Sequence, residues 1–444
     1  MRPALLACAL LLFSRPTEAR KTVVADLIFH NGTIHTLDAD FSTAEALAVK
    51  DGRILAVGSE GEVMRLAGPG TRKVDLDGRA LIPGFVDPHT HIFNDAESIG
   101  LTFAEAQALA LKNGITTLGD MFSPPWFVDD MLAFDAAGEL RLRTSLYLVR
   151  ATNCGDLHDA WRSHPINRDV ESRVRIPGIK IFADGGSCFL AAVSFPVDLG
   201  DGPTFGDLFF DQATMDELVA EADAEGWQVA IHAIGDRGRD VALTALDHVL
   251  DGRPNVLRHR IEHASWVRPD QIEPLVRNDI GLTDLMDLTC QINQGFSPFV
   301  NQAPASALSW YRPQRTLLAA GVRLSFSTDY PFRTDNTAWH LHTLVTRAAV
   351  DTDDGSVCEP QPFTAAESVS LEHALRMMTL TPAYLLGMDS VVGSLEPGKF
   401  ADVIVLSADP FAIDPQELRN LVVLSTTIGG EPLYCALGSE DLCR

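Results

Sequence analysis

Two histidines, His89 and His91, stand two residues apart, directly after a short segment that contains Pro83 and Gly84. In an extended chain this spacing turns both imidazoles to the same side. Imidazole nitrogen is a common zinc ligand, so the pair could chelate one metal ion. The pair alone is weak support for a metal site, because such pairs also occur by chance on protein surfaces. Its interpretation depends on where the pair lies in the fold.

Four more polar residues end or follow short β-branched segments: Lys180, His232, His263 and Asp329. His232 and His263 are one strand–helix unit apart, and Asp329 follows two units later, at roughly 30 to 34 residues per unit. Taken singly, each has a structural alternative, such as a lysine that reaches solvent or a core histidine bonded to a carbonyl. Taken together with the histidine pair, these convergent groups favour a metal site.

The elements that must position these residues alternate between strand and helix patterns, as in βαβ units with a parallel sheet. Helices are expected near residues 102–112, 213–224, 240–250 and 269–276. The pattern predicts eight strands, at 81–86, 115–121, 144–149, 178–183, 227–233, 259–264, 280–286 and 323–328. Eight units over this length fit a closed (β/α)8 barrel, whose catalytic residues lie at the C-terminal strand ends.

Both flanks of the barrel are β-rich and contain tight-turn dipeptides such as Asn31-Gly32 and Gly429-Gly430. Such dipeptides join antiparallel strands. We expect the two flanks to form one small β-sandwich beside the barrel. The predicted organisation is residues 20–82 and 385–444 for the sandwich and residues 83–384 for the barrel.

The first 19 residues have the pattern of a secretory signal peptide, with a short apolar run and small residues before a cleavage point near Ala19. This predicts a periplasmic or secreted protein, with the cytoplasm as the alternative. No other stretch is expected to anchor the chain in a membrane. Cys435 and Cys443 could be bridged in an oxidising compartment, or both could be free thiols.

The net charge of −25 would repel a polyanion, so nucleic acid is excluded as an expected partner. The composition is that of an ordinary globular protein, and a small-molecule substrate is the expected partner. The sequence leaves a homo-oligomer open.

Several segments together resemble the amidohydrolase superfamily, and specifically the branch called amidohydrolase family 3. They are the histidine pair after Pro-Gly-Phe-Val-Asp, residues 180–185, 232–236 and 258–263, Ser327-Thr328-Asp329, and the glycine-containing segment 392–402. The resemblance runs from Ala25 to the C-terminus. It implies a metal-dependent hydrolase built on the (β/α)8 barrel.

The resemblance implies that His89, His91 and Asp329 hold the more buried metal ion and that His232 and His263 hold a second one. Lys180 would bridge the two as a carbamate formed with carbon dioxide, because an ammonium has no lone pair and would repel a cation. A mononuclear site is the alternative. We expect one or two divalent ions, with zinc preferred over manganese, cobalt, nickel or iron.

The expected reaction is attack of a metal-activated water on a carbonyl carbon, with Asp329 as the base. His232, His263, Asp184 or His259 could also orient the substrate. The resemblance favours amides, N-acyl or N-formyl amines and cyclic amides, while esters and deamination stay open. A non-catalytic exported binding protein is a rival interpretation, but a binding protein would not need six metal-site residues.

One departure from the family is the lack of a long insertion after the strand that carries the histidine pair. The substrate cover must then be smaller or come from other loops. Residues 187–206 and 288–304 are the two candidates, because both are longer than typical connections.

Overall fold

The computed structural model describes residues 23–186, 188–285, 290, 297–331 and 335–444. The expected signal peptide at residues 1–19 lies outside these ranges, as does the end of the seventh predicted strand. Within the described ranges, no helix combines the length and the apolar character that a membrane crossing requires.

Eight parallel strands form the central sheet, in an order that follows the chain from one edge to the other. They are β8 (Phe85–Thr90), β9 (Ile115–Ser123), β10 (Arg143–Val149), β11 (Val174–Phe182), β14 (Gln228–His232), β15 (Arg260–Glu262), β16 (Gly281–Leu285) and β17 (Leu324–Ser327). Hydrogen bonds join the two edges: the Asp329 backbone N–H donates to the carbonyl of His89 at 2.9 Å. The predicted (β/α)8 barrel is confirmed.

Helices fill the connections and cover the apolar outer face of the barrel, so both faces of its strands are buried. In the described ranges the helices are α1 (Glu60–Val63), which packs on the flanking strands, and α2 (Phe103–Lys112), α3 (Pro125–Ala136), α4 (Gln212–Ala224), α5 (Asp236–Leu250), α6 (Ile272–Arg277), α7 (Pro298–Gln302), α8 (Gln314–Ala319), α9 (Thr337–Thr346), α10 (Pro362–Ala365), α11 (Leu371–Met377) and α12 (Leu380–Leu385). Thr102 and Glu105 form a reciprocal capping box that starts α2.

Two further sheets are built from the flanks. One contains β5 (Arg53–Gly58), β4 (Ala46–Lys50), β1 (Leu27–His30) and β6 (Arg72–Asp75). The other contains β22 (Glu431–Cys435), β21 (Val423–Ile428), β20 (Val403–Leu406), β7 (Ala80–Pro83), β2 (Thr33–His35) and β3 (Thr43–Ala44). The second sheet therefore combines strands from both ends of the chain. Short two-stranded pairs lie in loops, at β12 (Val197–Asp198) with β13 (Pro203–Thr204) and at β18 (Ala349–Val350) with β19 (Val357–Cys358).

The predicted strand at 81–86 is divided between two sheets. Residues 80–83 pair with β2 and β20 in the flanking sheet, and the barrel strand begins only at Phe85. Gly84 lies at the transition, where a Cβ would come within 2.3 Å of the Thr116 side chain. The apolar pattern continues across this point, and only the close approach that requires glycine marks the change of sheet.

The N-terminal end of the barrel packs on the flanking sheet through a buried ion pair. Arg143, at the start of β10, donates to both carboxylate oxygens of Asp402 at 2.7 and 3.2 Å. Its guanidinium also lies 3.5 Å from the ring centre of Phe400.

Three disulfides are present among the described residues, namely Cys154–Cys188, Cys290–Cys358 and Cys435–Cys443. The pairing of Cys435 with Cys443 was one of two alternatives from the sequence.

Candidate metal centre

All six residues that the sequence predicts as metal ligands lie at the C-terminal end of the barrel. His89 is within β8 and His91 follows it, Lys180 is within β11, His232 ends β14, His263 follows β15, and Asp329 follows β17 by two residues. His263 and Asp329 have positive φ values of 68° and 51°. Such values are uncommon outside glycine and occur at functional sites, where the surrounding structure holds the chain in place.

His89, His91 and Asp329 form a compact group of possible ligands, whose donor atoms all lie within 4.8 Å of one another. The Nε2 atoms of both histidines are 3.4 Å from Oδ1 of Asp329. Two imidazoles and one carboxylate suit a divalent metal such as zinc. These three residues could therefore hold one ion.

The other three predicted ligands lie beside this group, and they are His232, His263 and Lys180. The His263 ring centre lies 4.8 Å from that of His89 and 4.5 Å from that of His232. The Lys180 amine is 3.4 Å from His89 Nε2. The structure thus brings the six predicted residues into one cluster.

Burial keeps three of the four histidines neutral. It lowers the pKa of His232 to about 3, and the positive charge of Lys180 acts in the same direction. Burial also lowers the pKa values of His89 and His263 well below the ordinary range. Burial acts in the same direction on His91, but the hydrogen bond to Asp329 and the negative charges of Asp329 and Asp120 together outweigh it and raise the pKa of His91. Neutral imidazoles have the free lone pair that metal ligation requires.

Lys180 is completely buried, and burial lowers the pKa of its amine to about 8. At pH 7 roughly one tenth of such amines are uncharged. The uncharged amine is the form that reacts with carbon dioxide, so the environment of Lys180 permits the carbamate that the resemblance implies.

Glu262 is a residue of this site whose role sequence reasoning missed. Its carboxylate accepts hydrogen bonds from His89 Nδ1 at 2.7 Å, from Arg260 Nε at 2.6 Å and from the Thr283 hydroxyl at 2.6 Å. The first bond fixes the His89 ring and leaves Nε2 facing the cluster. The available signal was the pair of charged residues two apart, Arg260 and Glu262, on either side of Ile261 in a short buried strand.

Asp87 is a second unpredicted residue that positions ligands. It accepts hydrogen bonds from the hydroxyl and backbone N–H of Thr328 and from the backbone N–H of His89. It therefore connects the strand of the histidine pair with the strand of Asp329. Burial raises the pKa of Asp87 to about 7.

A pocket of about 310 Å³ opens above the cluster. Apolar residues form one part of its wall, and Phe122 contacts Phe182, which packs against His232 with ring centres 4.6 Å apart. The remaining lining residues are Asn94, Asp95, Asn153, Gly186, Ile234, Ser265, Leu285 and Arg312. Sequence reasoning did not identify these wall residues, because they come from several separate loops.

Two residues suggested as substrate-orienting groups do not line this pocket. His259 lies at the other end of its strand, where it accepts the Val229 backbone N–H at 3.0 Å and its Nε2 is 3.1 Å from Asp223 Oδ1. That suggestion was wrong, because residue 259 precedes β15 while catalytic groups follow strands. Asp184 is buried beside His232 and accepts three backbone N–H groups, from Ala192, Ile234 and Gly235. It connects two loops instead of contacting the cavity.

The two loops expected to cover the site are described to different extents. The disulfide of Cys154 with Cys188 ties the start of the 187–206 loop to the loop after β10, and the neighbouring residues Asn153 and Gly186 line the pocket. Part of the 288–304 loop lies outside the described residues.

Residues 94–434 match the family described as the amidohydrolase family. An N-substituted formamide deformylase of Arthrobacter pascens is 24% identical to this chain, over 94% of the chain and 100% of the relative. That alignment extends over 554 positions, more than the 444 residues of this chain, so the relative has segments that this chain lacks. An adenine deaminase of Ruegeria pomeroyi is 38% identical over 86% of this chain, which spans 54% of that relative.

A solved structure of an uncharacterized metal-dependent hydrolase from Pyrococcus horikoshii has a TM-score of 0.73 at 20% identity. The alignment covers 88% of this chain and 99% of that one.

The barrel and its C-terminal cluster define a metal-dependent hydrolase that acts on carbon–nitrogen bonds. With its family match over residues 94–434, the chain belongs to the amidohydrolase family.

Proposed function

We propose that the enzyme hydrolyses small N-formyl or N-acyl amines with divalent zinc at the described cluster. The observation that supports the proposal most strongly is that the six predicted residues lie together beneath one pocket of about 310 Å³. His89, His91 and Asp329 would hold one ion, and His232 and His263 a second. A bound divalent ion would lower the pKa of water and polarise the substrate carbonyl.

Asp329 is the proposed general base of the reaction. Its carboxylate faces the pocket, 3.4 Å from the Nε2 atoms of His89 and His91. It would accept the proton of the attacking water and pass it to the leaving amine. The positive φ at residue 329 directs the side chain toward the cluster immediately after the strand ends.

The pocket wall supports a substrate with an apolar substituent. Phe122, Phe182, Ile234 and Leu285 provide apolar surface above the cluster. A volume of about 310 Å³ lies at the small end of ligand pockets, which favours compact substrates. The similarity to a formamide deformylase over nearly the whole chain points to the same substrate class.

Lys180 is the proposed site of a carbamate. Its neutral amine would attack carbon dioxide, form one C–N bond and release a proton, which converts a cationic side chain into an anionic ligand. Complete burial next to His89 supports this assignment, because an ammonium there would oppose metal binding. With ¹³C-bicarbonate, NMR should show a carbamate carbon in the wild type and none in Lys180→Arg.

Metal analysis combined with a substrate panel tests the function. The panel contains N-formyl and N-acyl amines with benzyl, alkyl and amino-acid substituents, and the assay follows amine release. We expect bound zinc, activity that a chelator removes and zinc restores, and loss of both metal and activity in His89→Ala. His164→Ala, at a histidine bonded to Asp129 far from the cluster, is the matched control. Metal binding without metal-dependent hydrolysis of any panel member would contradict the proposed substrate class.

Deamination is the second candidate function, favoured by the 38% identity to an adenine deaminase. The same active-site residues could serve attack at an amidine carbon. Including adenine in the panel and measuring ammonia separates the two candidates, because deamination releases ammonia and deformylation releases formate.

We also propose that the protein is exported. Three disulfides among the described residues support an oxidising compartment, where such bonds form and persist. Fusion of residues 1–19 to a reporter enzyme that is active only after export tests this proposal. An inactive reporter would contradict it.

A further inference from the structure

The N-terminal end of the barrel contains a second cavity, of about 270 Å³, on the face opposite the metal centre. Arg175 and Gln228 come from the first residues of β11 and β14, and Arg258 lies just before β15. The loop after α12 closes another side with Leu386 and Gly387. A water molecule takes roughly 30 Å³ in the liquid, so the cavity can admit a small oxyanion together with several waters.

Three arginines line this cavity: Arg168, Arg175 and Arg258. In the described parts of the chain no acidic residue shares the lining with them. This is unusual in a protein with a net charge of −25. Charges beyond about 8 Å are largely screened at physiological salt, so the potential inside the cavity depends mainly on these guanidinium groups and on the acidic residues next to them.

Arg175 has no carboxylate at ion-pair distance among the described residues, although the charge of Asp169 acts on it at longer range. It is 2% exposed and donates to the Leu386 carbonyl at 2.7 Å, to the Ser145 hydroxyl at 3.2 Å and to the Arg168 carbonyl at 3.4 Å. Its Nε atom has no hydrogen-bond partner among the described residues. Carbonyl and hydroxyl oxygens satisfy donors but supply no counter-charge, and a buried unpaired charge is costly.

The other two arginines differ in whether a carboxylate partner neutralises their charge. Arg168 is exposed at the mouth of the cavity and donates to the carbonyls of Pro177 and Gly226, with no carboxylate partner among the described residues. Arg258 forms an ion pair with Asp389 at 2.7 Å. Two of the three guanidinium groups therefore lack an anionic partner.

We propose that this cavity binds a small oxyanion of the phosphate type, held by Arg168 at its mouth and Arg175 at its floor. Guanidinium groups present parallel N–H donors that match phosphate oxygens. The bound anion would supply the counter-charge that Arg175 lacks. The ligand would be either free inorganic phosphate or the phosphate group of a small metabolite.

Titration calorimetry of the full-length protein with inorganic phosphate tests the proposal, at ionic strength held constant with sodium chloride. We expect binding to the wild type and at least tenfold weaker binding to Arg168→Gln, an exposed position whose change should not prevent folding. Arg65→Gln, at an exposed arginine in the flanking part of the chain, is the matched control and should bind like the wild type. Arg175→Lys retains the charge but loses the forked donor geometry, and should also bind more weakly.

Absence of phosphate binding to the wild type would overturn the proposal. Unchanged affinity in Arg168→Gln would also overturn it, because it would place the phosphate elsewhere, for example at the metal centre. Glycerol 3-phosphate identifies the source of the ligand. Affinity equal to that of inorganic phosphate supports the free ion, and tenfold tighter binding supports a phosphorylated metabolite.

Discussion

The two ends of the barrel use charged residues in opposite ways. At the C-terminal end, imidazoles and carboxylates converge on one point and burial suppresses the charge of three histidines. At the N-terminal end, arginines extend outward to carbonyls, to the flanking sheet and to a separate cavity. Changes at the first end should therefore alter metal binding and turnover, whereas changes at the second should alter stability.

The largest effect is expected from Asp329→Asn. Loss of the proposed base should lower kcat by roughly 10³-fold, since general acid–base groups contribute 10² to 10⁴. The remaining ligands should keep metal bound, which metal analysis of the purified variant measures. Asp353→Asn, at an exposed loop position, is the control. Full activity of Asp329→Asn would refute its role.

The substitution Arg143→Gln tests the N-terminal end of the barrel. The change leaves Asp402 buried without its bidentate partner, and we expect a loss of about 3 kcal/mol in the free energy of unfolding. Because Arg143 is far from the cluster along its strand, kcat/KM should change less than twofold. Denaturant unfolding and steady-state kinetics measure the two quantities. A large fall in kcat/KM of the folded variant would remove the functional distinction between the ends.

Glu262→Gln should produce a smaller, specific effect at the metal end. A glutamine amide can present an N–H to His89 Nδ1, which favours the tautomer that carries its proton on Nε2 and so removes the lone pair that a metal ion needs. We expect metal affinity to fall between 10- and 100-fold, measured by competition with a chelator. Glu262→Asp shortens the side chain but retains the acceptor, and should restore part of the affinity. Wild-type affinity in both variants would rule out a positioning role.

The smallest effect near neutral pH is the contribution of His232 to the acid stability of the metal-free protein. The folded-state pKa is about 3 and the unfolded value is near 6.5. Between these values the unfolded chain binds a proton that the folded protein does not, so stability falls as the pH decreases from 6.5 toward 3. The slope from this residue approaches about 1.4 kcal/mol per pH unit. His232→Gln should lose this component, and His164→Gln should retain it.

The positions of the polar residues that follow the strands could be predicted from the sequence, because the barrel is built from repeated strand–helix units of similar length. His232, His263 and Asp329 fall where the fifth, sixth and eighth barrel strands end, and the structure places them together. Glu262 and Asp87 could not be assigned, because their roles arise from hydrogen bonds to residues far away in the chain. The suggestion that His259 orients the substrate was wrong for a related reason. The apolar pattern alone does not show at which end of a strand a neighbouring polar residue lies.

The division of the first predicted strand shows a similar limit. Residues 80–86 form a continuous apolar run, yet Gly84 separates a strand of the flanking sheet from the first barrel strand. Only the contact with Thr116 explains the break, and that contact joins segments distant in sequence. The domain boundaries predicted at residues 82/83 and 384/385 stay predictions.

Anomalous X-ray diffraction from crystals grown with zinc, recorded on both sides of the zinc absorption edge, tests the central claim most directly. We predict a peak at ligand distance from His89, His91 and Asp329, with a second peak near His232 and His263 if two ions bind. Crystals of protein that contains stoichiometric zinc, but without a peak at this cluster or with the peak elsewhere, would contradict the assignment of the metal centre.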